Sequence, residues 1–103
     1  MLLEQVTKSN FVGCLGEKFG LQLNADQDLE IELASVDSLD LSAAPPTGQR
    51  EPFSLVFITK TAALLPQQIY RLEHKKLGTL DIFLVPIGPD PQGRGMRMEA
   101  VFN

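Results

Sequence analysis

The second half of the chain is almost entirely short strands, and this limits it to a compact antiparallel β-domain. Phe53-Ser-Leu-Val-Phe-Ile-Thr59 is followed by Ile69-Tyr-Arg-Leu-Glu-His74 and by Thr79-Leu-Asp-Ile-Phe-Leu-Val85. Met96-Arg-Met-Glu-Ala-Val-Phe-Asn103 closes the chain. Gly, Pro and polar residues punctuate these runs, and no run has the length or period of a helix. Phe53 to Ile58 is apolar on both faces, which predicts a central strand with its second face also covered. The last strand alternates Met96, Met98, Ala100 and Phe102 inward against Arg97, Glu99 and Asn103 outward. Its penultimate residue is therefore expected in the core.

The first half adds a hairpin. Phe19, Leu21 and Leu23 alternate with Lys18, Gly20 and Gln22 over Lys18 to Leu23. Leu29, Ile31 and Leu33 alternate with Asp28, Glu30 and Glu32 over Leu29 to Val36. The cluster Asn24-Ala-Asp-Gln-Asp28 between them is turn chemistry. Ala34 and Ser35 break the period, which predicts a bulge or bend before Val36 and Leu39. Upstream, Thr7 or Ser9 is suited to cap a short helix carrying Phe11 with Cys14 or Leu15. Gly13 and Gly16 would stop that helix within two turns, leaving a lid over one end of the sheet. Leu2 to Val6 is too short to read as a helix by itself.

Connections follow from the breakers. Asp40 to Pro52 holds three prolines and reads as an exposed irregular loop. Lys60 to Pro66 returns along the surface. Lys75-Lys-Leu-Gly78 is a turn in which Gly78 suits a positive φ. Gly88 to Gly95 is a second long loop. The expected fold is all-β: six antiparallel strands curling into a small, partly open barrel, with a short N-terminal helix. A two-sheet sandwich is the alternative. With 103 residues and 44% apolar content, residues 1–103 form one domain with one core.

Charge and cysteine content narrow the function. Nine basic residues against thirteen acidic ones leave no excess to bind a phosphate backbone, so nucleic acid is not an expected partner. One cysteine, Cys14, permits no internal disulfide and reads as a small core hydrophobe. The N-terminus lacks a basic region followed by an apolar one, and the apolar runs are too short for a membrane span. A cytoplasmic protein without membrane contact is expected.

No residue pattern announces chemistry. His74 is the sole histidine. As a general base it would need a nucleophile and an orienting carboxylate, and no strained elbow surrounds Ser38, Ser42 or Ser54. The alternative is a histidine at a water-accessible strand end beside Lys75 and Lys76, bonded to a carbonyl or to water. Cys14 and His74, sixty residues apart, give no metal-ligand spacing. Asp26, Asp28 and Glu30 lack the central glycine and distal glutamate of an EF-hand and read as a solvated acidic turn. Gly93-Arg-Gly95 is a weak candidate for a backbone anion nest. Arg94 and Arg97 are placed to pair with a partner's carboxylate or with Glu99, and Tyr70 belongs in the core with its hydroxyl at the rim. The candidate ligand-binding residues are thus Tyr70, Arg71, His74, Arg94 and Arg97, with no catalytic residue, metal or cofactor expected.

Several segments in order carry a resemblance: Arg50-Glu-Pro-Phe-Ser-Leu55, Tyr70-Arg-Leu-Glu-His74, Leu77-Gly-Thr-Leu80, Phe83-Leu-Val-Pro86 and Glu99-Ala-Val-Phe-Asn103. Phe11, Leu15-Gly16 and Phe19 extend it weakly upstream. Together they resemble a small uncharacterised bacterial domain family of about this length. Its members typically sit alone in their chains, some encoded near phage tail-collar-like genes. Met98 stands where the resemblance would put a tyrosine, so no aromatic role carries over there. The resemblance implies a fold type and supplies no catalytic residue.

The leading expectation is a non-enzymatic structural or protein-interaction module, an accessory of a phage-tail-like assembly, with a protein partner and room for homo-oligomers. The two proline- and glycine-rich loops suit such contacts. The alternative is a small-ligand-binding β-barrel whose pocket is lined by Phe53, Phe57, Tyr70, Phe83 and Phe102, with His74 or Arg71 as its polar group. An enzyme using His74, a flavin-binding barrel included, comes third, without a phosphate-binding cluster to support it.

Overall fold

A computed structural model describes residues 6–38, 52–60 and 65–102. The expected loop Asp40–Pro52, apart from Pro52, lies outside the described residues, as do Leu39, Ser42, most of Leu2–Val6, the middle of Lys60–Pro66, and Asn103. The elements are α1 (Lys8–Val12), β1 (Lys18–Asn24), β2 (Gln27–Ser38), β3 (Phe53–Thr59), β4 (Gln68–His74), β5 (Gly78–Pro89) and β6 (Met96–Phe102). The six strands pair antiparallel in the order β1-β2-β3-β6-β5-β4, and β4 returns to β1 to close a barrel.

The barrel closes fully where the sequence left it partly open. The closing seam is short: Gly20, Leu21 and Gln22 face Glu73, Leu72 and Arg71. Strand twist accumulated over six strands brings the two outer strands together. Beyond the seam, residues 16 and 17 pair with β2 instead, through Gly16 N–H to Leu33 O and Leu33 N–H to Glu17 O. The bulge expected at Ala34 and Ser35 is present as a register shift between Leu33 and Ser35, and β2 runs on to Ser38. β5 also exceeds its expected span. A second shift between Pro86 and Gly88 lets it pair with β6 as far as Pro89, so part of the expected loop is strand. The residue displaced by this shift is Ile87, with Pro86 directly before it and Pro89 at the strand's end, and prolines in sheets are found at bulges and strand ends.

Alternation fills the interior. Leu21, Leu33, Phe53, Leu55, Phe57, Leu84 and Met98 have no exposed surface. Helix α1 plugs one end. Asn10 Oδ1 accepts from the Thr7 N–H at 2.7 Å and from Thr7 Oγ1 at 3.2 Å, tying its first turn. Phe11 then meets Phe53 and Phe102 at ring-centroid distances of 5.8 and 5.7 Å. Phe53 and Phe102 stack with centroids 4.7 Å apart. The penultimate residue of the chain is therefore a structural member of the plug, as the alternation of β6 required.

β3 is covered on both faces, as its apolar run predicts. Its outward Ile58 is 3% exposed, lying under Gly95 of the turn after β5, and it shares a small cleft with Lys18, Lys60 and Arg94. The roof is tight. A side chain at Gly95 would meet the Thr59 carbonyl oxygen at 2.0 Å, and Gly95 has φ +142°, so only glycine fits.

Phe102→Ala should lose about 3–5 kcal/mol of stability in urea unfolding, and deleting Val101 to Asn103 should lose at least as much. A truncated protein melting within a few degrees of the full chain would overturn the role given to this plug.

Candidate functional site

β4 carries Tyr70, Leu72 and His74 on its inward face, and His74 takes the last of these positions. The turn after it folds back over the ring. The backbone N–H groups of Lys76 and Leu77 donate to Nδ1 at 3.1 and 3.4 Å. Two donors on Nδ1 leave the ring proton on Nε2, assigned from this hydrogen-bond network. Nε2–H donates to Glu17 Oε1 at 2.6 Å. Phe19 packs on the ring with centroids 4.5 Å apart. The His74 side chain is 2% exposed and that of Glu17 34%. This corrects the expectation of a water-accessible strand-end histidine lacking an orienting carboxylate. The partner comes from fifty-seven residues upstream, delivered by the β2 pairing of residues 16 and 17.

Cys14 joins the pair. Its sulfur and the nearest ligand atoms of Glu17 and His74 lie within 4.8 Å of one another. Chain separation therefore did not keep cysteine and histidine apart. Their chemistry is hydrogen-bonding. The His74 lone pair is on Nδ1, engaged by the turn, so neither ring nitrogen offers a base to the thiol or a free lone pair toward the centre of the cluster. The Cys14 sulfur donates to Asn10 O at 3.4 Å, and burial, with the Glu17 charge next, pushes its pKa up. The raised pKa leaves less thiolate at neutral pH and makes the thiol a weaker nucleophile. Glu17 goes the other way: the His74 hydrogen bond holds its carboxyl below the ordinary value of 4.5.

The sequence-derived candidates do not converge. Tyr70 is buried with its hydroxyl donating to Pro66 O at 2.5 Å, and burial pushes its pKa up. Arg71 points outward to Asp81, with Nε 3.3 Å from Oδ1 and both side chains more than half exposed, a pair of small energetic weight. Arg94 does belong to an anion nest, but the anion is the chain's own Asp90. Asp90 Oδ2 accepts from the backbone N–H groups of Gln92 and Arg94, both at 3.2 Å, and from Arg94 Nε at 3.1 Å. Arg94 also holds the Asp90 carboxyl below its ordinary value. Arg97 lies across from Gly88 on β5, its Nε buried without a hydrogen-bond partner among the described residues. The pocket imagined inside the barrel is not formed by its expected residues. Phe53, Phe57, Tyr70 and Phe102 fill the core, while Phe83 is 50% exposed on the outer face.

A shallow groove opens on the outer surface beside the Glu17–His74 pair, bordered by Lys18, Gly20, Glu73, Lys75 and Gly78. No sequence signal marked Glu17, which looks like a solvated residue between Gly16 and Lys18. A separate apolar row lies on the same outer face, at the other end of β4. Ile69 and Phe83 are cross-strand partners, 66% and 50% exposed. On β6, just past the last β5–β6 pair of Val85 with Glu99, Val101 also faces outward and is 51% exposed.

With this geometry fixed, the comparison with known families is decisive at one level. A domain family described as a domain of unknown function, DUF6916, matches residues 6–102. The chain belongs to the DUF6916 family. No curated protein matches it, and no solved structure does. The DUF6916 match spans every described strand and the helix, and Cys14, Glu17 and His74 lie within the matched residues. No helix among the described residues is long and apolar enough to cross a membrane.

Two measurements check the site. Stability of the wild type should exceed that of Glu17→Gln at neutral pH. A lowered folded pKa contributes stability that is fully present above the unfolded value, so the difference should fade as pH falls below about 4.5. A difference that is constant through acid would sever Glu17 from His74 energetically. The Cys14 thiol should react with an aromatic disulfide reagent only after unfolding, and rapid reaction of the native protein would refute its protonated, buried state.

Proposed function

We propose that this DUF6916 chain is a non-enzymatic protein-interaction module. One observation carries the reading: the outward row of Ile69, Phe83 and Val101 on three neighbouring strands of a barrel whose inside is already filled. Single exposed apolar residues are ordinary, but the Ile69–Phe83 cross-strand pair, with the exposed Val101 on the next strand, retains apolar area that a partner can cover. The partner is a protein presenting a complementary apolar surface, and a second copy of the chain is one form it can take. Support also comes from the end cluster. A protonated thiol and a histidine with both nitrogens engaged do not make a nucleophile–base pair.

The finer setting belongs to the proposal as well. The segments from Arg50 to Asn103 that resemble a bacterial family encoded near phage tail-collar-like genes support a bacterial, cytoplasmic accessory of a phage-tail-like assembly. The small-ligand barrel is the weaker reading, since Phe53, Phe57, Tyr70 and Phe102 are buried in the core while Phe83 faces outward.

Copurification from the native host with mass spectrometry of bound proteins and small molecules tests this. A protein partner should be recovered with the wild type and reduced roughly tenfold with Phe83→Ser, equivalent to about 1.4 kcal/mol of lost binding. Phe83→Ser should fold normally, because the side chain leaves no core cavity. Recovery of a stoichiometric small molecule, with no protein, would move the ligand reading ahead.

A further inference from the structure

His74 is a buried titratable side chain, and its two ring nitrogens depend differently on the charge of the ring. Nε2–H donates to Glu17 Oε1 at 2.6 Å, a contact that the neutral ring and the imidazolium can both make. Nδ1 is an acceptor only while it keeps its lone pair. It takes the backbone N–H of Lys76 at 3.1 Å and that of Leu77 at 3.4 Å. A proton on Nδ1 would set a donor against two donors, inside a site where the ring is 2% exposed. The two charge states of the ring therefore require different positions of the turn between β4 and β5. Leu77 goes with that turn. Its side chain enters the core and is 6% exposed, while Lys75 and Lys76 stay outside.

The charges around the ring divide along the same line. From the segment before β1, Glu17 faces Nε2 and would pair with an imidazolium. Glu73 precedes the histidine on β4 and points outward. Lys18 on β1 is engaged by Glu32 at 3.0 Å. The Cys14 thiol, which follows α1, carries no charge, because burial pushes its pKa up. Lys75 and Lys76 ride on the turn itself, and Lys76 is near enough to act on both Glu17 and Cys14. A charged ring is thus attracted toward Glu17 and repelled by the turn that it holds when neutral.

We propose that His74 is an acid-sensitive latch: the neutral ring clasps the β4–β5 turn, and the protonated ring keeps Glu17 but releases residues 75–77, uncovering Leu77 and this end of the core. Histidine is the side chain suited to such a device, since its charge ordinarily changes between about pH 5 and 8. The bistable element is the turn, and the barrel strands stay paired in both states. The latch lies at the other end of β4 from Ile69 and does not rest on the apolar row, so either can fail without the other.

The test is an NMR titration of the full nitrogen-labelled chain between about pH 8 and pH 5. The ring nitrogens report the tautomer and charge of His74, and the amides of Lys76 and Leu77 report the turn. At the alkaline end the ring should be the neutral Nε2–H tautomer, with both amides protected from solvent exchange. As the ring takes up its proton, their protection should fall at least roughly tenfold with the same midpoint, while amides of the β3–β6 ladder stay protected. Glu17→Gln removes the anion that favours the charged ring, so the midpoint should move about one pH unit toward acid. Neutralising the exposed pair, with Lys75→Gln and Lys76→Gln together, should move it toward neutrality. His74→Gln keeps a neutral acceptor for the turn and a donor for Glu17, so its turn should stay closed throughout. A ring that remains neutral to about pH 5 would overturn the proposal. So would protonation that leaves both amides protected, a midpoint unmoved in both charge variants, or a folded His74→Gln whose turn opens at the wild-type midpoint. Should His74→Gln not fold, the wild-type titration and the charge variants decide alone.

Discussion

A barrel of six strands is too narrow to be anything but full, and this constraint shapes the rest of the molecule. Barrels of about eight strands are just wide enough for side chains to fill the interior, and this one is smaller. Every inward position is spent on the core, from Leu21 and Leu33 to Phe57, Leu84 and Met98. Function is therefore displaced to the outer face and to the ends. It also explains why the ends need separate plugs: a short strand set exposes both mouths of the core, and one is closed by Phe11 on Phe53 and Phe102.

The end beside β1 and β4 shows how a structural need and a surface feature coincide. The seam holds only from Gly20 to Gln22, so past it the chain must seal the core by side chains. His74 does this with its ring against Phe19 and both nitrogens engaged. A buried imidazole must satisfy both nitrogens, because an unpaired polar group out of water costs about 1–3 kcal/mol. Glu17 is the acceptor that meets this need, and its partial exposure turns an internal requirement into an external feature.

The fold was largely legible in sequence because strand alternation is a local signal. The inward set of β6, the bulge after Leu33, the positive φ of Gly78 and the capped helix at Thr7 each depend on a few neighbouring residues. The extension of β5 through Pro86 was not legible, since proline argues against a strand unless a bulge is known to be there. The site was hidden for a different reason. Glu17 and His74 are far apart in the chain and meet only after the barrel closes, and no spacing rule anticipates that. Arg94 illustrates the converse. Its glycine-flanked position correctly suggested an anion nest, but sequence could not say that Asp90, four residues earlier, would occupy it.

Closure of the barrel has one more consequence. Each of the six strands has a hydrogen-bonded neighbour on both sides, but the β1–β4 ladder covers only Gly20–Gln22 and the β5–β6 ladder stops at Val85, so unpaired edge among the described residues is confined to short stretches. Such short stretches give little room for a partner to extend the sheet, a mode in which affinity comes from the main chain and is indifferent to most side chains. On the proposed reading, recognition rests on outward side chains such as Ile69 and Phe83. Those residues can be exchanged one at a time without disturbing a single backbone pairing, which leaves the scaffold constant while its choice of partner drifts.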